Sequence, residues 1–328
     1  MQKITIIIPV KNGAISLDKC LKSICSQEGI TVKLIIVDSG STDDSVIIAE
    51  KYNAKIVNVK PSEFNHGKTR FEALQYATSD LIFFTVQDAW FGEADVLYKM
   101  SLHFVDEEVM SVTGHQAIPW GALDKNPAYW FKRISEAKPE IKYFSTPGSF
   151  DKLSPEQKVN ICCWDDVIAM YRKRALIEIP FRTVEFSEDC IWAKDALAGG
   201  FKLIRDPRLL INHYHHVNFK YSFKTKFIVS YHYYSYFNYS VKIPWSPMGL
   251  IRASYTIMKI NKIKALQKIG WLFYNLKISF ATFASSVLFR SAIILGGKTL
   301  VDKIYQKVCH TIPQGNEAEI SKLKKHYN

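Results

Sequence analysis

Four short apolar runs recur through residues 1–85, and the segments between them carry the period of a helix. The runs cover residues 4–8, 32–37, 55–59 and 81–85. The first stops at Pro9 and the second at Asp38. Between them, Leu17, Cys20, Leu21, Ile24 and Cys25 make the apolar face of one helix, with Ser16 as its expected cap. Asp43 and Asp44 fall in the first turn of a second helix, and Gly67 to Ala77 forms a third. This alternation predicts βαβ units and a Rossmann-like α/β fold, its mostly parallel sheet covered by helices on both faces. Ligands of such sheets bind beyond the carboxyl ends of the strands. Asp38 and Asp88 each sit just past one.

Residues 116–160 show no clear period and read as loops and short helices over the site. Residues 167–171 predict a strand, and 187–198 a helix closed by Gly199-Gly200. Phe201 to Ile211 reads as strand-turn-strand, broken at Asp206-Pro207. Near residue 220 the character changes, which divides the chain into a catalytic domain, 1–220, and a helical appendage, 221–328. Pro244 and Pro247 break the chain, residues 262–295 predict one or two helices, and a polar tail follows Pro313.

The appendage also carries the charge. The chain's net charge is +12; residues 217–328 hold 17 Lys/Arg against 3 Asp/Glu, while residues 1–216 hold 26 against 28. A basic, aromatic-rich segment needs an acidic partner. Its uncharged run between Lys277 and Arg290 falls short of the ~20 apolar residues of a spanning helix. Two readings stand: an amphipathic segment on an anionic membrane surface, or a helical pair against protein, in a homo-oligomer for example. The six cysteines form no CxxC pair and read as buried, reduced thiols. The N-terminal run is short and ends at Pro9, so no signal peptide is expected. Together these favour a cytoplasmic protein, peripheral on the inner face of the membrane.

Transfer of a sugar from a nucleoside diphosphate makes two demands. The leaving diphosphate gains negative charge, which a cation or basic groups must meet. The acceptor hydroxyl loses a proton, which a carboxylate or imidazole must take. Asp88, after a rigid strand, offers a metal ligand. His213 and His215 follow another apolar run and share a face, so one or both complete a site for Mg2+ or Mn2+. Asp189, beside Glu188 at a helix start, offers the base, kept ionised by the helix N-terminus. The stretch from Phe64 to Arg70 reads as a phosphate site at a helix N-terminus, or as a plain turn. Singly, each feature has a plainer reading: Asp38, Asp43 and Asp88 as helix caps, Glu188-Asp189 as a charged first turn, the histidines as surface residues.

Their order narrows the choice. Ile7-Ile8-Pro9-Val10-Lys11-Asn12, the stretch from Val37 to Asp43, Phe64 to Arg70, Phe83 to Ala89 and Phe186-Ser187-Glu188-Asp189 follow one another. The series resembles the inverting family 2 glycosyltransferases of the GT-A fold, over roughly residues 3–220. Asn65-His66-Gly67, Gln87-Asp88-Ala89 and His213-Tyr214-His215 look most like the rhamnosyltransferase branch. The resemblance implies that Pro9 and Asn12 line the nucleotide pocket and that Asp38 holds the base or ribose. Ser39, Ser41 and Asp43 would support that loop. His66, Gly67, Arg70 and Gln87 would lie near the uridine or thymidine diphosphate. Asp88 would match the last carboxylate of an Asp-x-Asp, Asp189 with Glu188 the acceptor base, and His213 or His215 the histidine near the metal. The donor would be a dTDP- or UDP-linked sugar, and the acceptor a glycan or lipid-linked saccharide. Rhamnose leads, with UDP-hexose or UDP-N-acetylhexosamine as the alternative. Three positions depart from the pattern: Val86 replaces the first carboxylate, Gly114-His115-Gln116 stands for Gly-Arg-Gln, and Trp90 for a small residue or Pro.

Two other classes fit less well. A nucleotidyltransferase needs a Gly-rich basic loop after its first strand, and Pro9 to Gly13 is too short for one. A nucleic-acid-binding protein needs a recognisable basic module, against which the acidic first two-thirds argues.

Overall fold

The computed structural model describes residues 1–130, 137–243 and 248–308. They fall into two compact units, Met1–Ala117 with Arg133–His213, and Ile118–Lys132 with Tyr214–Asn328. The expected breaks at Pro244 and Pro247 and the tail after Pro313 lie outside the described residues.

The first unit runs β1 (Gln2–Val10), α1 (Ala14–Cys25), β2 (Ile30–Asp38), α2 (Ser45–Lys51), β3 (Lys55–Asn58), α3 (His66–Ala73) and β4 (Leu81–Phe84). Then come α4 (Val96–Leu102), β5 (Val109–Ala117), β6 (Glu140–Lys142), α5 (Pro155–Ile161), β7 (Ala169–Arg172), α6 (Lys173–Glu178), α7 (Glu188–Ala198) and β8 (Lys202–Asn212). One eight-stranded sheet takes the order β3-β2-β1-β4-β7-β5-β8-β6. Strands β3, β2, β1 and β4 are parallel, as are β5 and β8; β7 is antiparallel to both its neighbours and β6 to β8. The sheet is therefore mostly parallel but mixed. Consecutive Ile6, Ile7 and Ile8 are all fully buried, so both faces of β1 are covered.

The structure corrects three local expectations and adds a strand that the sequence did not announce. Asp43 and Asp44 precede α2 rather than filling its first turn, with Asp44 at the cap position. Ser16 lies inside α1, whose cap is Gly13 without a side-chain bond; the Ser16 hydroxyl donates back to Gly13 O. Strand β5 had no sequence signal, because Ser111, Thr113, Gly114, His115 and Gln116 break any apolar alternation. Its buried hydroxyls donate to β7 and the residue before it: Ser111 Oγ to Met170 O at 3.0 Å and Thr113 Oγ1 to Ile168 O at 3.0 Å. Residues 202–212 form one strand rather than two. Its register against β5 slips between Arg205 and Leu210, so Pro207, which has no N–H to donate, sits in a bulge.

The second unit contains α8 (Phe219–Phe237), α9 (Met248–Lys259) and α10 (Ala265–Val308), which departs from helical geometry at Gly297 (φ 57°). Buried Ala281, Ser285 and Ala292 on α10 are small, which lets α8 pack close, with Phe227 edge-on to Phe289 at 5.4 Å. By length and composition Ala265–Lys307 is long and apolar enough to span a membrane, although charged Arg290 interrupts it, and only 28% of its most apolar stretch is buried.

Candidate active site

The strand ends build the site. At the end of β2, Asp38 accepts hydrogen bonds from Gly40 N and Ser41 N, at 3.0 and 3.1 Å, folding residues 39–41 back on themselves. Ser39 donates its N–H and hydroxyl to Val10 O. Across this loop, Asn12 N donates to Ser41 Oγ at 2.9 Å and Asn12 Oδ1 accepts from Thr42 N at 2.8 Å. Asp43 accepts from the amides of Ala14 and Ser45 and from the Ser45 hydroxyl. Partial burial works against its charge, but those hydrogen bonds hold its carboxyl below the usual range. Gln87 grips the other strand end: its Oε1 accepts from Lys11 N at 2.9 Å and its Nε2 donates to Lys11 O at 3.2 Å. A Cβ on Gly13 would lie 2.6 Å from that Oε1, so a side chain there would displace the Gln87 amide from Lys11. Pro9, in β1, pairs with Val37 in β2. Asn12, Pro9 and Asp38 thus share one sheet edge, the place the nucleotide pocket was expected.

Past β4, Trp90 N and O both bond to Asn212 at the end of β8, at 3.0 and 2.8 Å. Lys19 Nζ covers the Trp90 ring at 3.4 Å. That clamp brings Asp88 to His213, Oδ1 to Nε2 at 3.4 Å. Asp88, His213 and His215 each offer one ligand atom, all within 4.8 Å of one another. A carboxylate with two imidazoles suits a divalent first-row cation, so the donors fit such an ion. Val86, in place of the first carboxylate, packs against the hydrophobic core.

A second cluster forms where α3 meets α7. Asn65 caps α3 by accepting from Lys68 N at 3.0 Å and donates to Val184 O at 2.6 Å. The two helices approach so closely at Gly67 that a Cβ would meet Glu188 Cβ at 3.2 Å and Arg182 O at 2.9 Å. Burial holds His66 below the usual imidazole value, against the pull of Glu188 and with that of Arg70. Arg70, only 3% exposed, pairs with Asp166 Oδ2 at 3.2 Å and with Glu188 Oε1. Burial opposes its charge, but Asp166, Glu188 and Asp189 outweigh that and raise its pKa. Burial pushes Asp166 up to about 6, against the Arg70 guanidinium. Tyr171 Oη donates to Asp166 Oδ1 at 2.6 Å.

Asp189 stands at the head of α7, behind Ser187, which takes a left-handed conformation (φ 63°) that non-glycine residues seldom adopt. Its oxygens accept from Cys190 N at 2.7 Å and Asp166 N at 3.2 Å. The expectation that the helix end keeps it ionised is corrected: burial, then Glu188, Asp166 and Asp165, push its carboxyl well above the usual range. As a whole residue Asp189 is nonetheless partly exposed. Asp165, Asp166 and Tyr171 were invisible as site residues in the sequence, because no motif marks them; Gln116 stood in the Gly114-His115-Gln116 stretch but was given no role. Cys20, Cys25, Cys162, Cys163 and Cys190 are free thiols, but Cys25 and Cys163 are exposed rather than buried as expected.

The profile of "Glycosyl transferase family 2" matches residues 5–179. The O-antigen chain rhamnosyltransferase WbaN of Salmonella anatum is 30% identical over 69% of this chain and 71% of its own. The O-antigen chain rhamnosyltransferase RfbN of Salmonella typhimurium is 29% identical over 65% and 67%. Among solved structures, the mannosyltransferase PcManGT of Pyrobaculum calidifontis, in complex with GDP-Man and Mn2+, shares the fold at TM-score 0.56 and 15% identity, covering 90% of this chain and 87% of its own. With the ordered motifs and a GT-A-like sheet whose edge carries them, these matches establish that the chain is a glycosyltransferase and belongs to glycosyl transferase family 2.

Proposed function

We propose that this protein transfers rhamnose from a dTDP-linked donor to a hydroxyl of a bacterial surface glycan, with inversion at the sugar carbon. The observation that carries the chemistry is the separation of duties between a carboxylate–imidazole ligand set, Asp88 with His213 and His215, and a distinct carboxylate on a partly exposed residue, Asp189. The names of the Salmonella relatives support the donor. In a single displacement, Asp189 accepts the proton of the acceptor hydroxyl as that oxygen bonds to the anomeric carbon and the diphosphate departs. Asp88 and the histidines would hold a divalent cation, which would supply charge neutralisation for the leaving diphosphate. Two nitrogen donors favour Mn2+ over Mg2+, which prefers oxygen. Asn12 and the Asp38 loop hold the nucleotide, and Asp166 and Arg70 set the position of the base.

The test is release of nucleoside diphosphate from purified protein offered dTDP-rhamnose, UDP-glucose, UDP-galactose and UDP-N-acetylglucosamine, with and without Mn2+. Preference for dTDP-rhamnose, lost with EDTA and restored by Mn2+, is expected. Preference for a UDP-sugar would replace rhamnose with the alternative donor, and an EDTA-insensitive rate would remove the cation.

The second unit supports membrane contact. Ile251, Tyr255 and Met258 on α9, and Leu266, Ile269, Phe273, Leu276 and Phe280 on α10, are exposed at helical spacing. Arg252, Lys259, Lys262, Lys264 and Lys277 are exposed among them. A groove of about 660 Å³ between the two helices is lined by Leu250, Ala253, Leu276, Phe280 and Phe283. This apolar and basic surface matches an anionic lipid surface, where lipid-linked acceptors reside.

A further inference from the structure

Gln116, near the end of β5, is held between two groups of the first unit. Its Nε2 donates to Asp165 Oδ2 at 2.6 Å, and its Oε1 faces His213 Nδ1 at 2.7 Å. The direction follows from chemistry. A carboxylate oxygen only accepts, so the amide end at Asp165 is the NH2 group. The oxygen end then faces the imidazole, and Nδ1 carries the hydrogen. Asp165 is itself tied down, because its Oδ1 accepts from Val167 N at 3.0 Å. The lone pair of His213 is left on Nε2, the atom that faces Asp88 at 3.4 Å.

We propose that Asp165 and Gln116 are positioning residues that fix the Nδ1–H tautomer of His213, so that Nε2 is the atom offered to a divalent cation. This rests on reading Asp88, His213 and His215 as the cation's ligands. Neither residue touches the cation. Outer partners of a ligating histidine fix its ring and tautomer, and losing one weakens metal binding by about 10–100-fold. The residue after Asp165 completes the arrangement: Asp166 N donates to Asp189 Oδ2 at 3.2 Å. Two consecutive residues thus orient both the ligand set and the base.

Asp165→Asn gives an isosteric test in the full chain. The Val167 amide needs an oxygen on its side, so the new NH2 group faces Gln116. Gln116 must then turn over, present NH2 to His213 Nδ1 and move the ring proton to Nε2. Long-range 1H–15N spectra of the metal-free protein, with His213 assigned through His213→Gln, are expected to change from the Nδ1–H to the Nε2–H pattern. Calorimetric Mn2+ affinity is expected to fall about 10–100-fold. Adding Gln116→Glu returns an acceptor to Nδ1 and should restore both readings. An Asp165→Asn protein that keeps the Nδ1–H pattern and full Mn2+ affinity overturns the proposal. A tautomer that switches as expected in a protein that binds no Mn2+ at all leaves the relay standing and removes the cation site. Should Asp165→Asn melt out, Gln116→Leu carries the test, with loss of the Nδ1–H preference expected and its retention decisive against the relay.

Discussion

Asp189 joins two properties a base needs and rarely finds together: partial access and a raised pKa. Asp189→Asn should lower turnover by a factor of about 10²–10⁴ while leaving donor affinity within a few-fold, checked by steady-state kinetics and calorimetry. A near-normal rate would remove it as base. A base works only when ionised, so the rate should climb with pH through the raised Asp189 value. Glu188 is the foremost charged neighbour holding that value up. Glu188→Gln removes the charge but keeps an oxygen for Arg70, so the acid limb of the kcat profile should move to lower pH. An unmoved limb would mean that another group sets it. Asp88, Asp189 and His213 were legible in the sequence because each closes or opens a segment with clear patterning. Arg70 was read beside the diphosphate, but only the folded chain shows that its guanidinium is engaged by Asp166 and Glu188. That partnership joins residues about a hundred positions apart or more, 118 for Arg70 and Glu188, beyond the reach of any local pattern.

At the scale of elements, β5 is the strand the sequence hid and the one on which the proposed relay depends. Apolar alternation betrays a strand only when its buried side chains are apolar, and β5 buries Ser111 and Thr113 instead, satisfied by β7 and its approach. The four parallel strands β1 to β4 obeyed the pattern, and so the nucleotide edge was readable; in the far half β7 and β8 were read as strands, while β5 and the three-residue β6 were not. Gly114 shows how tightly β5 is held. A Cβ there would lie 2.5 Å from Leu209 O, in the β8 bulge, and 2.6 Å from Ile168 Cδ1. Backbone on one side leaves little room to yield, so Gly114→Ala should destabilise the fold by about 1–3 kcal/mol. Gln116 lies two residues on, so Mn2+ affinity should fall along with the melting temperature. A variant that melts like wild type would show that the bulge relaxes freely.

At the scale of the whole chain, charge and apolar exposure coincide in the second unit, which is what separates a membrane surface from a subunit interface. An interface between copies tends to deplete Lys and to bury its aromatic anchors against apolar partners. Here Tyr255, Phe273 and Phe280 are exposed, with Arg252, Lys259 and Lys277 exposed on the same two helices and Lys262 and Lys264 exposed in the turn between them, while the first two-thirds of the sequence carries a slight negative balance. Two copies meeting through this unit would bring like charges together, whereas anionic lipid would neutralise them, each basic residue near the surface adding about 1 kcal/mol. The full chain should therefore float with vesicles containing phosphatidylglycerol and stay behind with pure phosphatidylcholine, and added salt should release it. Phe273→Ser with Phe280→Ser should weaken flotation without altering donor hydrolysis, because neither residue belongs to the first unit, which carries Asp88 and Asp189. Flotation indifferent to lipid charge, with a dimer in sedimentation that the same substitutions dissociate, would assign this face to a second copy of the chain instead.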